Sequence, residues 1–377
     1  MGDSLNMSAS KQVLLIGCAP SIVDTARQEL RALNIQVYGC DNIEHCRSQF
    51  YDLVIFGVGL SASERTYVKG QFSTYQRDLR FETVTSPLVV WRIVEALMPA
   101  KSQTKLVNLN AYRDRIGYSG PLEPTIETLS ALLRHHPAAI SYENIDILLD
   151  RGIDISPGAV DGKLIHRRRG GYCYEQNALF KRVLMAIGFQ VEGLVARVQW
   201  TAPADAPPRR RSHMALRVML DDVAWLADVG FGSCVPTAPL RLDTTHAQET
   251  EHEAFRVLPF QGALAVQVRI LDEWKPLYEL ASDVCLDHDY DPLNWFAASH
   301  PTSHFRDSLK VARTTAKARY TLLNGKLTTR TPDGRTERQV LNASEIADAL
   351  RQIFVLPVEP NWLPILHKAA SGFDKAQ

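Results

Sequence analysis

Residues 167–180 read RRRGGYCYEQNALF, and the spacing that follows sets a single cysteine at the first turn of a helix. From Tyr174 onward, Leu179, Phe180, Val183, Leu184 and Ile187 recur at helical intervals, and Gly188 supplies a stop. The helix therefore opens at Cys173. Unpaired N–H groups and aligned peptide dipoles at a helix start favour a negative charge, and hence a thiolate. Gly170 and Gly171 are expected to let the backbone turn sharply and to leave room beside the sulfur. The plain alternative is a buried, inert cysteine, and this segment alone does not decide between the two.

A nucleophilic cysteine needs a base within hydrogen-bond reach and a third group to orient that base. Residues 213–220, HMALRVML, and 223–229, VAWLADV, are strand-like runs joined by the polar pair Asp221-Asp222, which suits a two-residue hairpin. With that turn, residue 220 pairs with 223, Ala215 lies opposite Asp228, and His213 lies opposite Gly230. His213 and Asp228 are then diagonal neighbours on one face. Met214, Leu216, Val218 and Leu220 face the other way, toward a core. A three-residue loop would separate His213 from Asp228. A lone histidine is more often a surface or satisfied residue, and an aspartate before a glycine is often turn chemistry.

Composition narrows the field around this trio. The chain has 377 residues, 45% hydrophobic and 22% charged, with formal net charge +0, so neither disorder nor a nucleic-acid partner is indicated. No run approaches the ~20 apolar residues of a membrane span, and MGDSLNMSAS lacks the regions of a secretory signal. Cytoplasm is the expected compartment. Cysteines 18, 40, 46, 173, 234 and 285 lack C-x-x-C spacing, which argues against a disulfide framework and a metal site.

The length suggests a multidomain chain. After a disordered tail (1–10), residues 11–100 alternate apolar strands (QVLLIG, NIQVYG, DLVIFGVG, FETVTS) with helix-like stretches such as SIVDTARQELRAL, capped by Ser21, and PLVVWRIVEALM. That rhythm implies a small parallel-sheet α/β domain, receiver-like or flavodoxin-like. Its strand ends, Gly17-Cys18-Ala19-Pro20 and Gly57-Val58-Gly59, carry no nucleotide fingerprint, so its expected use is protein contact, homo-oligomerisation or regulation. A linker is placed near 99–103. Beyond it, helical spacing gives way to period-two strands from Val191.

Four segments in this second part, RRRGGYCYEQN (167–177), SHMALRV (212–218), WLADVGFG (225–232) and NWFAASHPTSHF (294–305), resemble the arylamine N-acetyltransferases in kind and order. AYRDRIGYSGPLEPT (111–125) is similar to that family's opening. The resemblance covers roughly residues 105–377. It implies a cysteine-protease-like acetyltransferase domain over 101–377, with a helical bundle (105–190), a β-barrel (191–290) and an α/β lid (291–377). By position, Cys173 would be the nucleophile, His213 the base and Asp228 the orienting carboxylate, in agreement with the local reading.

The same resemblance implies acetyl-CoA as co-substrate, no metal, and a small arylamine or hydrazine acceptor acetylated by ping-pong chemistry, with O-acetylation of N-hydroxyarylamines as an extension. Trp200, Ser212, Phe231, Gly232 and Phe305 match positions that would contact CoA. Glu143 matches a glutamate paired with an arginine just before the cysteine, here assigned as Arg168. Three features depart from the family: Ser141-Tyr142 where Pro-Phe is usual, a Pro- and Arg-rich segment TAPADAPPRRR (201–211), and the N-terminal domain. The arginines suit either CoA phosphates or a mobile surface loop. Competing readings are an amide synthase that closes macrolactams from a carrier-bound acyl chain, and a non-catalytic regulatory or scaffold protein.

Overall fold

The computed structural model describes residues 10–31, 35–40, 46, 49–57, 59–76, 79–83, 89, 93, 97, 107–203 and 207–372. The chain divides into two compact units, residues 1–103 and 104–377.

In the first unit, β1 (Lys11–Ile16), α1 (Pro20–Leu30), β2 (Ile35–Cys40), β3 (Leu53–Phe56), α2 (Ala62–Ser73) and β4 (Arg80–Thr83) form a parallel sheet of order β2-β1-β3-β4 with its helices. The runs VLLI and LVIF are buried on both faces, as parallel strands covered by helices must be. Val13, Leu15, Leu53 and Ile55 pack on one side, and Leu14, Val54 and Phe56 meet Val68 and Phe72 on the other. α1 starts two residues earlier than expected: Ala19 is its cap and Pro20 its first residue, so Ser21 sits inside the helix and caps nothing. A proline at that position costs no hydrogen bond and its fixed φ suits the helix. The expected disordered tail, apart from Ser10, and nearly all of PLVVWRIVEALM lie outside the described residues.

The second unit opens with α3 (Leu109–Ile116), α4 (Ile126–Ala139), β5 (Tyr142–Glu143), α5 (Ile145–Leu148), α6 (Pro157–Asp161), a π-helical turn (Gly162–His166) and α7 (Cys173–Ile187). Antiparallel strands β6 (Gln190–Val198), β7 (Arg211–Leu220), β8 (Val223–Ala227), β9 (Leu240–Arg241), β10 (Phe255–Phe260), β11 (Ala263–Ile270) and β12 (Glu273–Leu280) follow, in the order β10-β11-β12-β6-β7-β8-β9. Gln248 nearly closes this sheet into a barrel: its side chain accepts from the Arg241 N–H of β9 at 2.7 Å, and its backbone bridges Phe255 of β10. After α8 (Tyr290–Ser299), a second sheet of order β16-β15-β14-β13-β5 is built from β13 (Lys310–Thr314), β14 (Arg319–Leu323), β15 (Lys326–Arg330), β16 (Thr336–Val340) and the early strand β5. α9 (Ala343–Gln352) and α10 (Leu363–Ser371) close the unit.

Both faces of the β7–β8 hairpin are buried. Met214, Leu216 and Val218 pack against α7 and its neighbours. Ala215 and Leu226 point into the barrel with Leu194, Ala196 and Phe255. The face that carries His213 and Asp228 is therefore also the barrel's core.

Candidate active site

Cys173 is the first residue of α7 and only 2% exposed. Glu175, in the helix's first turn, accepts the Tyr172 N–H at 3.1 Å, so a donor beside the helix start is satisfied by the helix's own side chain. The two preceding glycines do a different job from the expected one. Neither has a positive φ; a Cβ on Gly170 would lie 2.1 Å from the Ser141 carbonyl oxygen, so Gly170 permits close backbone approach. Room beside the cysteine comes from Gly230, whose Cβ would fall 2.8 Å from Cys173 Cα.

The hairpin turn brings in the histidine and the carboxylate. Asp221 and Asp222 both have positive φ (49° and 60°), the conformation of a two-residue type I′ turn, and Leu220 pairs with Val223. Pairing continues to Leu216–Ala227, which sets Ala215 beside Asp228. His213 Nε2 donates to Asp228 Oδ2 at 2.7 Å, and Cys173 lies close enough to help raise the pKa of the same ring. The sulfur also lies 3.8 Å from the Ser212 carbonyl oxygen.

Asp228 is fully buried and accepts four hydrogen bonds: from His213, from Tyr278 Oη (3.1 Å), from Asn177 Nδ2 (2.9 Å) and from the Gly230 N–H (2.8 Å). Burial alone would raise its pKa, but the charge and hydrogen bond of His213, helped by Asn177 and Gly230, hold it below the usual carboxylate value. For His213, burial opposes protonation, yet the Asp228 charge and the hydrogen bonds to Asp228 and Cys173 raise the ring to about 10. Asn177 and Tyr278 were not singled out by the sequence. Asn177 carried a signal, because it stands four residues after Cys173 and so shares its helix face. Tyr278 carried none, since β12 reaches the site only through the barrel.

Beneath the cysteine lies a buried ion network, and here the assigned arginine is wrong. Arg168 is exposed, with φ 53°, whereas Arg169 is 2% exposed and donates to Glu143 Oε1 through Nε (3.1 Å) and Nη2 (2.7 Å). The left-handed residue at 168 turns the chain so that the next side chain, not its own, points inward. Arg169 also stacks over Trp362, 4.5 Å from the ring centre. Lys163, from the π-helical turn, bridges Glu175 and Asp146, each at 2.8 Å. Burial would discharge this lysine, but Glu175, Glu143 and Asp146 together keep its pKa raised.

A neutral histidine supports the same loop. Burial lowers the His136 pKa to about 4, so its Nδ1 accepts from Tyr112 Oη (2.9 Å) while Nε2 donates to Gln176 Oε1 (2.7 Å). Gln176 Nε2 in turn donates to the carbonyls of Ser141 (2.9 Å) and Gly171 (3.1 Å).

Next to the trio is a cavity of about 840 Å³ whose lining includes Ser212, Phe305, Phe296 and arginines 197, 209, 210 and 211. Two residues matched to CoA contacts, Ser212 and Phe305, border it. Phe231 instead packs edge-on against His213, with ring centres 5.4 Å apart, and Gly232, at φ 81°, lies against the Tyr142 ring. Trp200 packs on the barrel core. Among the described residues, no group of three or more His, Cys, Asp or Glu is placed to hold a metal ion, and no helix is long and apolar enough to cross a membrane.

A family model described as N-acetyltransferase matches residues 125–363. An arylamine N-acetyltransferase of Mycobacterium tuberculosis is 36% identical over 255 residues, spanning 67% of this chain and 90% of that protein. This chain belongs to the arylamine N-acetyltransferase family. Within the family, an arylamine N-acetyltransferase / N-hydroxyarylamine O-acetyltransferase of Salmonella typhimurium is 40% identical over 205 residues, covering 54% of this chain and 72% of its own. The solved structure of the Mycobacterium marinum arylamine N-acetyltransferase in complex with CoA superposes with a TM-score of 0.64 at 39% identity, covering 66% of this chain and 93% of its own.

Proposed function

We propose that this arylamine N-acetyltransferase family member transfers acetyl from acetyl-CoA to arylamines and arylhydrazines through an acetyl-Cys173 intermediate. The observation that carries this reading is His213, held by Asp228 at 2.7 Å through Nε2, with Cys173 close enough to contribute to the raised pKa of the same ring. His213, kept protonated by Asp228, already holds the proton lost by Cys173, and the sulfur attacks the thioester carbonyl as a thiolate. The tetrahedral oxyanion collapses with expulsion of CoA thiolate, which recovers that proton from the imidazolium. An amine nitrogen then attacks acetyl-Cys173, His213 removes a proton from the nitrogen, and the released amide leaves the cysteine sulfur free. Asp228 holds the Nε2–H tautomer and stabilises the imidazolium. Backbone N–H groups at the start of α7 are suited to the oxyanion.

The cavity fits the co-substrate, with an apolar wall for an extended arm, arginines for phosphates, and Ser212 linking it to the sulfur. Ser212 and Phe305, which border the cavity, are assigned to donor contacts, and Glu143 with Arg169 to support of the floor. The Salmonella relative's second activity extends the reading to O-acetylation of N-hydroxyarylamines. These names favour the acetyltransferase reading over a macrolactam-forming amide synthase or a scaffold protein. We divide the second unit into a helical bundle (105–190), a β-barrel (191–290) and an α/β lid (291–377). Residues 11–100 form a receiver-like or flavodoxin-like domain, supported by the parallel order β2-β1-β3-β4, with protein contact or self-association in the cytoplasm as its role.

The test is to mix the protein with acetyl-CoA, without amine, and to record its intact mass. A gain of one acetyl group that Cys173→Ser abolishes is expected. No adduct and no released CoA would remove the proposal.

A further inference from the structure

The cavity beside Ser212 has an uneven chemical character. One wall is α8, with Pro292, Leu293, Phe296 and Ala297; the lining also carries Arg197, Arg209, Arg210 and Arg211. Four guanidiniums bordering one cavity repel one another, and an arrangement of that kind is stabilised by a polyanion.

Their existing contacts leave the positive charge uncompensated. An Arg197 Nη1 donates to the Arg209 carbonyl, Arg209 Nη1 reaches the Trp200 carbonyl at 3.5 Å, and Arg210 lies 4.3 Å over the Phe296 ring. None of the four is in an ion pair among the described residues. Glu279 lies across the strand from Arg197, but one of its carboxylate oxygens accepts from Gln199 at 2.8 Å. His304, on the same cavity, is held neutral by burial and by the cations Lys310 and Arg209.

The spacing also has a direction. Ser212 is at the sulfur, and an extended chain at about 3.3 Å per residue carries Arg209 up to roughly 10 Å away, before its side chain adds reach. The apolar α8 wall and the guanidiniums therefore border one cavity that reaches Ser212, with Arg210 lying on Phe296 itself. A long neutral arm ending in several phosphates matches both kinds of lining.

We propose that Arg197, Arg209, Arg210 and Arg211 form a phosphate clamp for the nucleotide end of the acyl donor, so that this chain selects donors by their 3′-phosphate and pyrophosphate. The proposal rests on the acetyl-CoA reading above and goes beyond it by making the phosphates, not the pantetheine arm, the element recognised. It also disfavours carrier-bound pantetheine, which offers a single phosphodiester. Guanidinium–phosphate contacts are short, charge-assisted and frequently bidentate.

Arg210 and Arg211 are exposed, so R210Q/R211Q removes charge without opening a core. KM and kcat would be measured for the full chain with acetyl-CoA, 3′-dephospho-acetyl-CoA and S-acetylpantetheine at low and high salt. In the wild type, KM should rise about tenfold or more from the first donor to the last, an amount within reach of a lost charged hydrogen bond. R210Q/R211Q should raise KM for acetyl-CoA by about the same factor, flatten its salt dependence, and show much less change with S-acetylpantetheine. An unchanged KM for acetyl-CoA, or equal losses with both donors, overturns the clamp. Calorimetric binding of 3′,5′-ADP, weakened by R210Q/R211Q, tests the same residues without turnover. Failure of Cys173 acetylation alongside intact 3′,5′-ADP binding would defeat the transferase reading and leave the clamp standing.

Discussion

Asp228→Asn changes one buried atom and should stop the first half of the reaction. The side chain's shape is kept, and its amide oxygen can still accept from Asn177 (2.9 Å) and the Gly230 N–H (2.8 Å). Its NH2 group then takes the place of Oδ2, facing His213 Nε2 (2.7 Å) and Tyr278 Oη (3.1 Å). Two donors cannot share that contact, so the ring must offer Nε2 as acceptor and carry its proton on Nδ1, toward Cys173. A ring in that tautomer cannot take the thiol proton. The same tautomer error in a Ser–His–Asp triad lowers kcat by about 10⁴. Stability should fall less, by about 1–3 kcal/mol for the disturbed hydrogen bonds, because no unpaired charge is left behind. Stopped-flow measurement of CoA release from acetyl-CoA, beside a thermal melt, reads both quantities. A variant that melts near the wild type and acetylates at the wild-type rate would show that Asp228 does not orient His213.

Two further outcomes are expected. Arg169→Gln removes a buried cation from Glu143 and Trp362 and should cost about 3–5 kcal/mol, whereas Arg168→Gln, on an exposed side chain, should stay within about 0.5 kcal/mol; chemical denaturation of both variants checks this, and the reverse ranking would refute the pairing. The His213 pKa rises from 6.5 in the unfolded chain to about 10 in the folded one, so its contribution to stability is complete below about pH 6.5 and is lost as pH climbs toward 10. The depressed Asp228 acts in the opposite sense, contributing above pH 3.8 and losing that contribution as pH falls below it. The melting-temperature difference between wild type and His213→Gln should therefore be widest between about pH 4 and 6.5 and narrow in alkali; a difference that grows toward pH 10 would contradict the pair.

Much of the site was legible because its determinants are local. The helix start at Cys173 follows from spacing, and the side-by-side placement of His213 and Asp228 follows from a turn of two aspartates, whose left-handed backbones appear in the structure. What escaped depends on distant pairing. Glu143 is held by β5 against β13, where it faces Val311, and nothing within SYENIDILL announces that partner. Arg168 and Arg169 are chemically identical in sequence; only a left-handed turn at 168 decides which one is buried. Tyr278 reaches Asp228 through barrel closure, which no period-two pattern encodes. In residues 1–103 the apolar runs gave the parallel sheet directly, since strands covered on both faces are apolar throughout.

The pairing of β5 with β13, and of Arg169 with Trp362, has a consequence during biosynthesis. The nucleophile leaves the ribosome while the strand and the indole that secure its floor are still to be translated. At roughly 5–20 residues per second, the Glu143–Arg169 pair waits about ten seconds or longer before Trp362 arrives. A nascent chain halted late in that interval, beyond Asp228, carries every reacting group and lacks the foundation on which they stand.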